Sequence, residues 1–287
     1  MKRVSYRYLK YFLKLLIART IESDIANRSA QAAFYLSFAL FPLLLFLFSL
    51  FGLILGSAET LRAEVFAYLE RIMPIAVFDL VSRTVNEIVA SSSTGKLTIG
   101  LIVTLWSAST GIDGIRSGLN AVYGLEESRP WWLTKLHSLG FTVIITIIVG
   151  SALVVAFYGW EHVQTPLENV GIPLTSPIAL AIPQWILILL LMLFVVELIY
   201  NLLPNFQRPK WKWITPGSLI AIVLWLVVSS LFRLYLSYFN SYDRTYGSLG
   251  AVMILILWLY LTAFVLMIGG AINSIYYEIE VADIEGT

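Results

Sequence analysis

The sequence predicts an all-α, polytopic membrane protein: a bundle of six transmembrane helices with an N-terminal amphipathic helix and an outer helical hairpin. Three observations carry that prediction. Of 287 residues 59% are hydrophobic and only 13% are charged, whereas a soluble domain carries about a quarter charged residues. Mean hydropathy is +0.82. Apolar runs of about 20 residues, the length that crosses roughly 30 Å of hydrocarbon, recur along the chain. The absence of cysteine excludes a disulfide framework, a thiol nucleophile and thiolate metal sites. A formal net charge of +1 carries no nucleic-acid signature.

Residues 1–28 read as a basic amphipathic helix on the cytoplasmic surface. Arg3, Arg7, Lys10 and Lys14 recur at helical spacing beside an apolar stripe of Tyr8, Tyr11, Phe12, Leu15 and Leu16, the pattern of a helix lying in the membrane interface. Residues 29–275 form the membrane domain. Its six predicted spans run Ala32–Gly56, Leu97–Val122, Leu139–Trp160, Ile178–Leu203, Ile214–Tyr238 and Ser248–Ser274. The first is too long, and too poor in a small-residue cleavage site, for a signal peptide, so it is expected to be retained. Pro42 lies within it and is expected to kink it. Residues 57–96 carry apolar stripes at helical spacing on either side of Pro74. They read as an outer hairpin, too charged to span, whose stripes lie on the bundle or in the interface. Residues 276–287 form an acidic tail.

Basic residues resist translocation, so their distribution sets orientation. With the N-terminus inside, thirteen Lys and Arg fall on the cytoplasmic side and six on the other. Both termini are therefore expected in the cytoplasm. A faint repetition accompanies this layout: the second span overlays the sixth at an offset of 152 residues, matching Thr110 with Thr262 and Gly118 with Gly270. Leucine-rich spans give such matches by chance.

Ionisable groups within a bilayer cost a few kcal/mol on insertion scales and need a partner, a wet cavity or a short route to the interface. In the second span Asp113, Arg116 and Asn120 lie at i, i+3 and i+7 and share one face. Gly111, Gly114 and Gly118 beside them permit close backbone approach, Gly114 and Gly118 as a GxxxG pair. Two readings stay open: a mutually satisfied pair that glues the bundle, or the lining of a polar cavity. Glu197 and Asn201 sit one turn apart in the fourth span, where the carboxylate could relay a proton, bind a cation, or pair with Arg116 or a lysine of the next loop. Arg233 in the fifth span could snorkel outward or hold a phosphate, and Arg244 follows at the outer surface. Gly269 and Gly270 mark a tight packing point in the sixth span.

Catalytic motifs are missing. The sequence has no P-loop, no HExxH and no GxSxG elbow, and its two histidines, His137 and His162, lie at opposite ends of the third span. No metal, cofactor or enzymatic activity is expected.

Ordered motifs carry a resemblance. The run Ser29-Ala-Gln-Ala-Ala-Phe-Tyr-Leu-Ser-Phe-Ala-Leu-Phe-Pro42, the segments Leu105-Trp-Ser-Ala-Ser-Thr110 and Gly118-Leu-Asn-Ala-Val-Tyr-Gly124, then Tyr200-Asn-Leu-Leu-Pro-Asn205, Pro216-Gly-Ser-Leu219, Tyr246-Gly-Ser-Leu-Gly-Ala251 and Leu257-Trp-Leu-Tyr260 resemble the YihY/BrkB family of bacterial inner-membrane proteins. That resemblance implies six spans. Some family members are labelled ribonuclease BN, others virulence or serum-resistance factors, and an involvement with envelope lipids has been proposed for the family. This sequence has neither a His and Asp cluster for catalytic metals nor a basic, aromatic-lined stripe for RNA. Where the family pattern has Gly-Ala-Glu-Leu-Asn in the last span, this chain has Gly269-Gly-Ala271-Ile-Asn273.

The leading expectation is a transporter or scramblase of a lipid or other anionic amphiphile, not ATP-driven by itself. Its polar path would run from Asp113, Arg116 and Asn120 past Glu197 and Asn201 to Arg233 and Arg244. The alternative is a structural or assembly protein of the envelope whose outer hairpin docks a protein partner. Membrane lipids are expected partners in the first case, and nucleic acid in neither; ribonuclease is a distant third.

Overall fold

The computed structural model describes residues 6–55, 63, 65–67, 69–70, 75–91, 97–169, 177–207, 211–238 and 248–285. Among these residues every regular element is an α-helix, with no strand. The long helices are α1 (Tyr6–Glu22), α2 (Ile25–Leu55), α3 (Ile75–Ser91), α4 (Leu97–Val122), α5 (Trp131–Asn169), α6 (Pro177–Leu202), α7 (Pro216–Tyr238) and α8 (Ser248–Glu285).

Among the described residues three stretches are long and apolar enough to cross a membrane: Trp131–Ser151 in α5, Pro216–Tyr238 in α7 and Gly250–Ile279 in α8, with mean hydropathies of 1.7, 2.3 and 2.7. Ile186–Leu202 in α6 is a shorter apolar helix. Apolar side chains on the outside of α7, among them Leu219, Val223, Val227, Leu231 and Leu234, are exposed. A helix apolar on its outer face belongs against lipid rather than water.

Helix α8 is the central post. It packs against α2 and α7 most extensively, and also against α1, α3 and α4, while α2 and α4 form the longest packed pair. Missing side chains explain how the backbones come so close. A Cβ on Gly111 would lie 2.9 Å from the Ala39 Cβ of α2, and one on Gly114 would lie 3.2 Å from the Ala32 Cα. Gly118 instead faces Met267 of α8, and Gly270 faces Leu119 of α4. Gly114 and Gly118 therefore serve two different partner helices, although the sequence spaces them as one motif. At the α7–α8 crossing, a Cβ on Gly269 would lie 2.7 Å from the Gly217 carbonyl oxygen and 2.8 Å from the Ala221 Cβ. Helix α2 runs unbroken through Pro42.

Apolar burial places the remaining elements. Val81 and Val85 of α3 are fully buried against a cluster that includes Val65, Phe232, Ile254, Leu255 and Trp258, so this apolar stripe lies on the bundle. Leu16 of α1 packs beside Ile25, Val122 and Met267, whereas Leu13, Ile17 and Ile21 at i, i+4 and i+8 are exposed. Helix α1 thus shows one apolar face to the protein and another away from it. Arg19 fixes its end, donating to the Val122 carbonyl at 3.3 Å and the Ser274 hydroxyl at 2.9 Å, and bonding the Glu278 carboxylate of α8.

Glycine positions should differ sharply in tolerance. Gly269→Ala is expected to lower unfolding stability in detergent by about 1–3 kcal/mol through overpacking. Gly140→Ala on α5, where a Cβ meets nothing within 4 Å, should be neutral or stabilising by up to about 1 kcal/mol, because alanine is the better helix former. Equal losses in both variants would contradict the packing described.

Candidate functional site: two polar clusters and a cleft

One cluster joins the second half of α4 to the first turns of α5. Asp113 and Arg116, one turn apart, form an ion pair at 3.2 Å. Lys135 and Ser138 are likewise one turn apart on α5 and reach the same carboxylate, the Lys135 ammonium donating at 2.8 Å and the Ser138 hydroxyl at 2.5 Å. Arg116 also donates to the Thr134 carbonyl at 3.0 Å. The Lys135 ammonium lies 4.8 Å from the centre of the Trp106 ring, a cation–π contact.

The α4–α5 turn extends this cluster. Asn120 donates to Glu127 at 3.1 Å and accepts from the Asn205 backbone N–H at 2.8 Å. Asn205 in turn donates to the Glu126 carbonyl at 2.9 Å and the Ser128 hydroxyl at 3.0 Å. One asparagine therefore ties the turn after α4 to the turn after α6. Arg129 grips the Glu127 carboxylate bidentately, at 2.7 and 2.8 Å. Those hydrogen bonds hold the Glu127 carboxyl below its ordinary range, outweighing partial burial, which pushes it up. Beside this network opens a cleft of about 280 Å³ lined by Arg28, Arg116, Ser117, Asn120, Leu125 and Glu127.

A second cluster surrounds Glu197, which is 1% exposed. Its Oε1 accepts from the Thr215 backbone N–H at 2.5 Å, the Thr215 hydroxyl at 2.9 Å and the Ser218 hydroxyl at 2.5 Å. Its Oε2 accepts from the Asn201 amide at 3.2 Å. Local sequence explains why α7 starts here. Thr215 is the N-cap, its hydroxyl accepting from the Ser218 N–H at 3.3 Å, and Pro216 fills the first helical position, where no donor is needed. The Gly217 N–H donates to Asn273 of α8 at 2.8 Å, and Asn273 donates back to the Thr215 hydroxyl at 3.0 Å. A carboxylate against the first turn of α7 also meets the positive end of its dipole.

The expected site residues thus separate. Arg116 and Asn120 line the cleft and Asp113 pairs with Arg116 behind it, while Glu197 and Asn201 belong to the α7 cluster. The donors that hold Glu197 are neutral, and Arg116 is engaged with Asp113, Thr134 and Glu127 instead. Arg233 is exposed on α7, and Arg244 lies outside the described residues. Arg28, Glu127, Lys135 and Thr215 were not singled out from the sequence. For Thr215 a signal existed, since Thr-Pro ahead of an apolar run is a helix start; the others are brought in by tertiary contact. Among the described residues no group of three or more His, Cys, Asp or Glu could hold a metal.

A family model described as virulence factor BrkB matches residues 16–286. The chain belongs to that family. Within the BrkB family it is 30% identical over 267 residues to a putative ribonuclease-like protein, YfkH, of Bacillus subtilis, covering 93% of this chain and 95% of the relative. It is 29% identical over 271 residues to a UPF0761 membrane protein of Cronobacter sakazakii, covering 91% and 87%. A longer UPF0761 membrane protein of Xanthomonas campestris is 25% identical over 268 residues, and the match spans 60% of its length. No solved structure matches. The membrane label of the two UPF0761 relatives agrees with the apolar helices here.

The two clusters respond differently to perturbation. Glu197→Leu, which strips the acceptor from several buried donors, should cost about 3 kcal/mol or more of stability, at about 1–3 kcal/mol for each donor left unsatisfied. Glu127 has a lowered folded-state pKa, so its contribution is complete above the ordinary carboxylate value and is lost as pH falls through the folded value. Melting in detergent between pH 7 and pH 3 should show an acid-side loss that is smaller in Glu127→Gln; an unchanged pH profile would contradict the Glu127–Arg129 contact.

Proposed function

We propose that this BrkB family member is a six-span protein of the bacterial cytoplasmic membrane, with both termini inside, that transports or scrambles a lipid or other anionic amphiphile without itself hydrolysing ATP. The spans are α2, α4, α5, α6, α7 and α8. Helices α2 and α4 contain 31 and 26 residues and, at about 1.5 Å per residue, exceed the roughly 30 Å needed. In this reading α3 belongs to the outer hairpin and α1 is the basic interfacial helix, which ends at Glu22 rather than running on to residue 28; the acidic stretch from residue 276 continues α8 as far as Glu285.

The observation that carries this reading is a cleft bordered by Arg28 and Arg116 at one end of a bundle whose outer surface is apolar. An anionic headgroup would find guanidinium donors there while its tails stay in lipid. From the cleft the headgroup would pass Asp113, Arg116 and Asn120, then Glu197 and Asn201, and leave by Arg233 and Arg244. Gradients or a partner would drive the transfer, or it is downhill. No cofactor, catalytic residue or nucleic acid enters this reading.

One observation favours a second reading. Glu197 has both oxygens taken by donors from α6 and the start of α7, as expected of helix glue in an assembly protein whose outer hairpin docks an envelope partner. Proteoliposomes carrying labelled lipid separate the two. Transport predicts lipid transfer above protein-free vesicles and a marked loss in Arg116→Ala. No transfer under any gradient would remove the transport reading and leave assembly.

A further inference from the structure

The guanidinium of Arg116 is only partly used by the protein. One terminal nitrogen serves the Thr134 carbonyl and the other Asp113. Its Nε is buried with no hydrogen-bond partner, and the nearest carboxylate oxygen, of Glu127, stands 3.7 Å away, beyond hydrogen-bonding distance. Buried charged donors seldom stay unpaired in folded proteins. Arg28 approaches from the α1–α2 corner, where Asp24 takes a left-handed φ of 50°. Of the Arg28 side-chain nitrogens, Nε donates to the Ser23 carbonyl at 3.0 Å. That bond directs the terminal nitrogens elsewhere, and the side chain borders the cleft.

We propose that the cleft between Arg28 and Arg116 binds a phosphate monoester or diester, which would take the place of the Glu127 carboxylate beside Arg116. Planar guanidinium forks match phosphate oxygens bidentately, and Ser117 lines the same cleft. Around the cleft and the network behind it, Arg28, Arg116, Arg129 and Lys135 outnumber the carboxylates Asp113, Glu126 and Glu127. Glu127 can give way because Arg129 already holds both of its oxygens, so leaving the neighbourhood of Arg116 does not strand its charge. A volume of about 280 Å³ admits a phosphoryl headgroup but falls below the roughly 300–1,000 Å³ typical of sites for larger ligands. Acyl chains would lie outside, along the exposed apolar face.

This inference deepens the proposed lipid handling by naming the headgroup chemistry, and binding can be measured without transport. Full-length protein in detergent would be titrated calorimetrically with inorganic phosphate, dihexanoyl phosphatidic acid and dihexanoylglycerol. Both phosphate-bearing probes should bind and the glycerolipid without phosphate should not; tighter binding of the phosphatidic acid marks a lipid headgroup as the source, and equal binding marks free phosphate. Arg28→Gln, whose melting point should match that of the wild type, should weaken binding about tenfold or more, the size of losing charge-assisted hydrogen bonds. Glu127→Gln should tighten it. Absence of phosphate-dependent binding, or unchanged affinity in a folded Arg28→Gln, would overturn the site. Binding without any lipid transfer would remove the transport reading and leave the site standing; lipid transfer with no phosphate-dependent binding would do the reverse.

Discussion

A carboxylate held against the first turn of a helix inside an apolar bundle solves a problem that every buried helix start poses. The leading N–H groups of α7 have no partners within their own helix, and Thr215, Gly217 and Ser218 are buried in the protein, away from water that could supply them. Glu197, the Thr215 cap and Asn273 take up those donors between them. They do so from three different helices, so the same contacts fix how α6, α7 and α8 meet. Pro216 adds a position that asks for no acceptor at all. Close approach of Gly217 to Gly269 then becomes possible, because the polar groups at the crossing are already satisfied.

The α4–α5 cluster follows a different logic. Its members are charged, partly solvent-exposed and joined in a network in which Arg116 meets both Asp113 and Glu127. Such a network leaves capacity unspent, whereas the Glu197 cluster does not. The two clusters of this bundle are thus divided by how completely each polar group is satisfied. The glycines support both regions: Gly111 and Gly114 bring α2 against α4, and Gly118 and Gly270 bring α4 against α8, which holds the wall of the cleft.

The helical, membrane-embedded class was legible because it rests on composition and on apolar run length, which need no tertiary information. Asp113 and Arg116 were legible as neighbours, since i, i+3 spacing on a helix is local geometry. Partners that arrive from elsewhere were not. Lys135 and Ser138 look like the unremarkable flank of a span until α5 is laid beside α4, and Arg19 looks like one more topology-setting charge until α1 meets Ser274 and Glu278. Gly114 and Gly118 illustrate the same limit from the other side. Their spacing is that of a single packing motif, yet the helix crosses two neighbours and each glycine takes one.

Hydrogen exchange at the start of α7 tests the central claim most directly. First-turn amides of a helix ordinarily exchange fast, because nothing in the helix protects them. Here the amides of Thr215, Gly217 and Ser218 are bonded to Glu197, Asn273 and Thr215, so in detergent or nanodiscs they should exchange as slowly as the helix interior and be released in Glu197→Leu. Exchange at these amides as fast as at the exposed residues Trp211 and Trp213, in the wild-type protein, would contradict the account.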